Sequence, residues 1–243
     1  MWDATVSQQV NLATAYGVRV EISGSVATLI VDGAALLTHD YGEVLSDGDL
    51  GLGSRRSHAR FDDVVVQPTS QTIHSDDFED GVADLFTPET GTWSVVGGSY
   101  QVQTQNQDTM SVLNLPRPLP GDFDLDVTLS VQSGGDWKNA YVIFDRVDAT
   151  NYKIAAAVAG SNRWRLGQRT SAGLVWHQTL IQTITLDTNY QVRLSVRGSM
   201  ATLSADGAVL LAHDYGEPLS DGALALASRR SHARFDDLVV TGG

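Results

Sequence analysis

Along this chain apolar side chains recur at every second position far more often than at every third or fourth. The clearest stretch is Phe123, Leu125, Val127, Leu129 and Val131, with Asp122, Asp124, Asp126 and Ser130 among the residues between them. A backbone that turns successive side chains to opposite faces makes this a strand with one dry and one wet face. Similar runs occupy 92–96, 99–104, 140–144, 152–158, 163–169 and 190–196. No long stripe of helical period competes with them, although short helical turns are expected near 80–86. Turn residues punctuate the runs: Gly97-Gly98, Gly134-Gly135, and Asp206-Gly207 between 201–205 and 208–212. Asp-Gly supplies the positive backbone dihedrals that a two-residue hairpin needs. The same dipeptide stands at Asp32-Gly33, and a second pair of such turns is expected at Asp47-Gly48 and Asp221-Gly222. About a dozen short strands in this order suit two antiparallel sheets packed face to face.

The pattern is written twice. Segment 16–66 reappears at 190–240 with a constant offset of 174 residues, without a gap, and 36 of 51 aligned positions are identical. The match reaches back to Trp2 and Trp176, whereas 71–174 have no second copy. Residues 70–243 therefore read as one complete β-sandwich unit, and 1–69 as an incomplete repeat, the C-terminal, closing half of a preceding unit. A complete unit of this length can bury its own core. A closing half by itself leaves an apolar face and strand edges in need of a partner. Two similar closing halves compete for one opening half, which permits strand exchange, so self-association through the half-repeat is an expectation. The segment 175–243 is expected to win locally because its connection is short.

The unit opens with Ser75-Asp76-Asp77-Phe78-Glu79-Asp80-Gly81 and continues through Gly91-Thr92-Trp93-Ser94-Val95 and Gly98-Ser99-Tyr100. It then carries Asn151-Tyr152 after a turn reading FDRVDAT, and closes with Phe235-Asp236-Asp237-Leu238-Val239-Val240. In this order the chain resembles the concanavalin A-like, laminin-G-like jelly-roll domains of secreted bacterial enzymes and adhesins. The resemblance covers roughly 74–241, and its closing half again at 1–67. It implies an all-β antiparallel sandwich, glycan binding, and an extracellular or cell-surface setting.

Composition narrows the chemistry. The net charge of −13 argues against sequence-independent binding to nucleic acid, whose affinity comes from cations on phosphates, and disfavours anionic membrane surfaces. No run of about 18 apolar residues predicts membrane insertion, and the first residues lack the basic and apolar regions of a signal peptide. There is no cysteine, hence no disulfide and no thiol nucleophile. The charge is carried by 24 aspartates against 5 glutamates and by 14 arginines against 2 lysines. Aspartate serves turns, and it also supplies the short, hard oxygens that Ca2+ accepts.

Two constellations carry candidate chemistry. If the first and last strands of the unit are neighbours, as is common in jelly rolls of this kind, Asp76 and Asp77 approach Asp236 and Asp237. A structural calcium ion joining the two ends would relieve their repulsion; alternatively each pair straddles the pleat and is satisfied locally. The run Asp122-Phe123-Asp124-Leu125-Asp126 is not an EF-hand, since it lacks the glycine and glutamate that loop requires, and it reads as a solvated strand face. For ligand binding, alternation sets Arg163, Arg165 and Arg169 on one face and Trp164, Leu166 and Gln168 on the other. Those arginines suit a carboxylated or sulfated sugar, because a guanidinium matches such groups bidentately, or else they pair with the Asp-rich strands, the reading sequence favours. Trp164, Trp137, Tyr141 and Trp176 are the candidate stacking rings, with core packing as the competing role.

No catalytic residue is assigned. Glycanases on this fold use two glutamates close together, and retaining chemistry needs two carboxyl groups about 5 Å apart. Here Glu21, Glu43, Glu79, Glu89 and Glu217 stand far apart in sequence. The Ser-Arg-Arg-Ser-His-Ala-Arg run at 54–60 and 228–234 carries serine and histidine without a nucleophile elbow. The reading is a non-catalytic polysaccharide-binding or adhesion module, with a ligand-free structural spacer as the alternative and a sugar-active enzyme further behind.

Overall fold

A computed structural model describes all residues except 1–3, 24, 44, 46–49, 67–70, 105, 221 and 243, so the turn expected at Asp47-Gly48 and Asp221 of its counterpart lie outside the described residues. The chain divides into two units, Met1–Thr69 and Ser70–Gly243. In the first, β1 (Val18–Ser23), β2 (Val26–Val31) and β3 (Ala34–Asp40) form an antiparallel sheet in that order. Asp32 and Gly33 take φ values of 49° and 83°, as a two-residue turn matching the strand twist requires. No strand follows β3 among the described residues of this unit.

The second unit holds β4 (Gln71–Asp76), β5 (Phe86–Thr90), β6 (Trp93–Val95), β7 (Tyr100–Val102), β8 (Asp108–Leu113), β9 (Asp122–Gly135), β10 (Asn139–Asp148), β11 (Asn151–Val158), β12 (Arg163–Thr170), β13 (Gly173–Ile181), β14 (Tyr190–Arg197), β15 (Met200–Ala205), β16 (Ala208–Asp214), β17 (Ala223–Arg229) and β18 (Ser231–Gly242). One sheet runs β13-β12-β11-β10-β17-β8-β5, and the other β16-β15-β14-β9-β18-β7-β6, with β4 alongside β18. The period-two apolar positions meet between them: Phe123, Leu125 and Leu129 of β9 and Phe235 of β18 face Val142, Phe144, Trp164, Leu166 and Leu226. Each such side chain taken fully out of water contributes about 1.5–3 kcal/mol. Residues 80–86 form turns rather than helix. Aspartate side chains capture the amides there, Asp80 that of Val82 at 2.9 Å and Asp76 that of Asp84 at 2.6 Å, in competition with helical hydrogen bonds.

β18 lies centrally, paired along one edge with β9. Its other edge meets β7 first, at Ala233 opposite Val102, and then β4, at Leu238 opposite Asp76. The change of partner coincides with a bulge between Asp236 and Val239, where Asp237 has φ 48°. The first and last strands of the unit are thus neighbours, and the paired aspartates sit near their junction, but each carboxylate is committed locally. Buried Asp76 accepts the amides of Phe78 (2.8 Å) and Asp84, with burial raising its pKa against the pull of these bonds. Asp77 accepts the Glu79 amide (3.2 Å), Asp236 accepts the Ser99 hydroxyl and the Asp237 amide (both 2.9 Å), and Asp237 accepts Thr128 Oγ1 (3.4 Å). Among the described residues no group of three or more His, Asp or Glu is disposed to hold a metal. This donor set does not fit the expected calcium ion, which takes about six to eight oxygens. The serines at 228 and 231 are likewise structural: Ser228 Oγ donates to the Ser231 carbonyl (2.9 Å), and Ser231 Oγ accepts the Asn139 amide (2.7 Å).

Three outcomes are expected. Asp76→Ala strands two amides and should cost about 2–4 kcal/mol, read from the urea midpoint. EDTA should leave the melting temperature unchanged, and a fall on chelation would restore the calcium reading. Asp148 accepts the Asn151 side chain (2.7 Å) and the Thr150 amide (2.6 Å), which hold its pKa down at about 2 against an ordinary 3.8. Its depressed folded-state pKa means its contribution is present above the unfolded value and lost as pH falls through the folded one. Melting curves of wild type and Asp148→Ala should therefore differ by a constant amount above about pH 5 and converge towards pH 2.

Candidate functional site

β12 builds the site through its alternation. Trp164 and Leu166 enter the core, so Arg163, Arg165, Gly167 and Arg169 project from the outer face of the seven-stranded sheet. Strand register extends this face into rows. Arg165 stands beside Ala156, Ala156 beside Tyr141, Tyr141 beside Ala227 and Ala227 beside Met110. The next row runs Gly167, Ile154, Ile143, Ala225 and Val112. These side chains form an apolar cluster distinct from the main core, with Tyr152, Leu174 and Trp176 packed against it. Ala156, Ala225, Ala227 and Gly167 make a buried layer of small residues between taller neighbours. A Cβ on Gly167 would collide with the Val175 carbonyl and the Trp176 ring, so only glycine lets that indole lie close to β12. Trp176 carries the Arg165 guanidinium 5.0 Å from its centroid, and Trp137, 46% exposed, carries that of Arg229 at 4.5 Å.

The face is cationic in an acidic chain. Arg146 is bound to Glu89 at 2.6 Å, and Arg229 lies 3.6 Å from Asp108. Among the described residues no carboxylate lies within 4 Å of Arg163, Arg165 or Arg169. Arg165 Nε is buried without a hydrogen-bond partner, and burial followed by the Arg163 charge lowers its pKa. Burial pushes the Tyr141 hydroxyl well up, opposed by Arg229 and Arg165, so it stays protonated and can donate. The arrangement sets guanidinium donors and the partly exposed Trp176 ring over a buried apolar layer, which suits a ligand with anionic groups.

Two sequence expectations are corrected. The Asp-rich strand does not neutralise the β12 arginines, because β9 belongs to the other sheet, where Asp126 binds Arg193 (2.7 Å) and Asp124 binds Arg197 (3.0 Å). Trp164 is 2% exposed and packs edge-on to Tyr190 at 5.6 Å, so it serves the core rather than a ligand. Arg163, Arg165, Arg169, Tyr141 and Trp176 share the outer face, with Trp137 beside Arg229 at its border. The layer of small residues and Arg146 and Arg229 were missed. Only for the β17 alanines was a signal legible in the duplication: inward Leu224 and Leu226 match Leu50 and Leu52, while outward Ala223, Ala225 and Ala227 align with Asp49, Gly51 and Gly53. Alanine at alternate strand positions is itself unusual.

No protein-family model matches the chain, and no curated protein matches it. Solved structures do. The carbohydrate-binding module CBM66 from Bacillus subtilis superposes with a TM-score of 0.59 at 15% identity, over 65% of this chain and 96% of that one. A Bacillus subtilis protein of unknown function with a galectin-like fold gives 0.55 at 12% identity, over 70% and 94%. SCLam, a non-specific endo-β-1,3(4)-glucanase of family GH16, gives 0.54 at 11% identity, over 74% and 93%. At such identities the likeness establishes the fold, an all-β antiparallel sandwich of the jelly-roll, galectin-like type.

Proposed function

We propose that the unit 70–243 is a non-catalytic carbohydrate-binding module of an extracellular or cell-surface protein, and that the outer face of its seven-stranded sheet receives an acidic glycan. One observation carries the reading: among the described residues Arg163, Arg165 and Arg169 have no carboxylate within 4 Å, and they stand beside Trp176 over a buried apolar layer, in a chain of net charge −13. A cluster of like charges is unfavourable unless an anion relieves it. Trp176, partly exposed, offers apolar ring surface for a sugar, while the guanidiniums select carboxylate or sulfate. The fold is shared with the carbohydrate-binding module CBM66 and the glucanase SCLam. The non-catalytic reading is supported by the acids on this face, since Glu89 and Asp108 each lie against an arginine, whereas a glycosidase uses a pair of closely spaced carboxylates.

The test is calorimetric titration with uronic-acid and sulfated oligosaccharides. Arg165→Ala should weaken binding about 10–100-fold, the value of a charge-assisted hydrogen bond, and wild-type affinity should fall with added salt. Arg193→Ala, on the opposite sheet, should leave affinity unchanged. Trp164→Ala is unsuitable as a probe because it opens the core, at about 3–5 kcal/mol. Failure of a broad range of acidic and neutral oligosaccharides to bind would favour a ligand-free spacer, and turnover of any of them would overturn the non-catalytic reading.

A further inference from the structure

Most exposed apolar residues of the first unit align with residues that form the core of the second. At the offset of 174, Val20 is 59% exposed where Leu194 is 0%, Leu52 is 61% where Leu226 is 1%, Phe61 is 50% where Phe235 is 0%, and Val66 is 72% where Val240 is 0%. The strands that bury the second set are all visible. Leu194 pairs with Leu125 of β9, β18 lies between β9 and the strands β4 and β7, and β17 lies between β8 and β10. All of these covering strands come from 71–148, a stretch with no counterpart in residues 1–69. Pairings internal to the closing half do form in the first unit, in matching register: Val18 opposite Val31 reproduces Val192 opposite Ala205.

From this geometry we infer that residues 1–69 are an acceptor for the opening half of another repeat, a polypeptide segment patterned like 70–174. The edge of β1 corresponds to the edge of β14 that β9 occupies. Charge agrees with this: Arg19 aligns with Arg193, which binds Asp126 of β9, and in the first unit Arg19 instead meets Glu21 of its own strand at 3.0 Å. Stoichiometry argues against a second copy of the chain as the occupant. Each copy of these 243 residues carries two closing halves and one opening half, and exchange between copies preserves that ratio. A swap exposes one closing half for each one it covers.

The test joins a second copy of residues 70–174 directly ahead of residue 1 of the full chain. In the natural unit Leu174 is followed by Val175, and Val175 aligns with Met1, so the fusion restores the spacing. Amide exchange of residues 61–66 should slow by about a hundredfold or more, into the range of 235–240, as expected when an open segment joins a cooperative core. The same fusion carrying Leu125→Asp in the added copy should show no such protection, while the native 70–243 unit reports that the chain has folded. Unchanged exchange in the fusion would overturn the inference. So would a concentration-dependent dimer of the unfused chain that protects 61–66, since the occupant would then be a second copy. None of these readouts involves a glycan, so they stand or fall apart from the proposed function.

Discussion

The pairing of β18 with β9 holds the second unit together. The two strands lie roughly a hundred residues apart in sequence, yet they run side by side at the centre of one sheet. β14, β15 and β16 are carried on the far edge of β9, and β4, β7 and β6 lie beyond β18. At Arg230, with φ 47°, the chain turns from β17 in one sheet to β18 in the other, so placing β18 also fixes β17 at the middle of the opposite sheet. Closing so long a loop costs entropy before any contact compensates, and folds governed by such pairings form slowly.

The duplication is a natural control on that dependence. Both copies take the left-handed conformation at the second aspartate of the pair, with φ 50° at Asp63 and 48° at Asp237. Both use an aspartate from the hairpin turn to accept an amide across it, Gly17 to Asp32 at 2.8 Å and Gln191 to Asp206 at 2.9 Å. Both close the serine turn, Ser54 to Ser57 at 3.1 Å and Ser228 to Ser231 at 2.9 Å. These features need only neighbours within a few residues or one hairpin. What differs is whether Phe61 and Phe235, in identical local sequence, find a sheet to enter, and that depends on residues far along the chain.

The functional face shows the same division. Alternation in β12 separated its arginines from its apolar residues without any structure. It does not say which side faces the core, so a ligand role and a core role for Trp164 both fit the alternation, and the structure makes it an interior side chain. Nor could it say which carboxylates lay nearby: the Asp-rich strand is wet as expected, but its arginines are Arg193 and Arg197 of β14, set by sheet order. Arg146, Arg229 and the alanines come from three further strands, β10, β11 and β17, and converge only through register.

By itself, then, the sequence determined the hairpin turns, the repeat and the two-faced character of each candidate strand, because these follow from steric preferences and periodicity within a few residues. Tertiary structure alone decided which strands became neighbours, which face of each was dry, and therefore which arginines were left without acids and which closing half became a core. The reason is that burial and charge pairing depend on distance in space, and distance in space between remote segments is set by the whole set of long-range pairings at once.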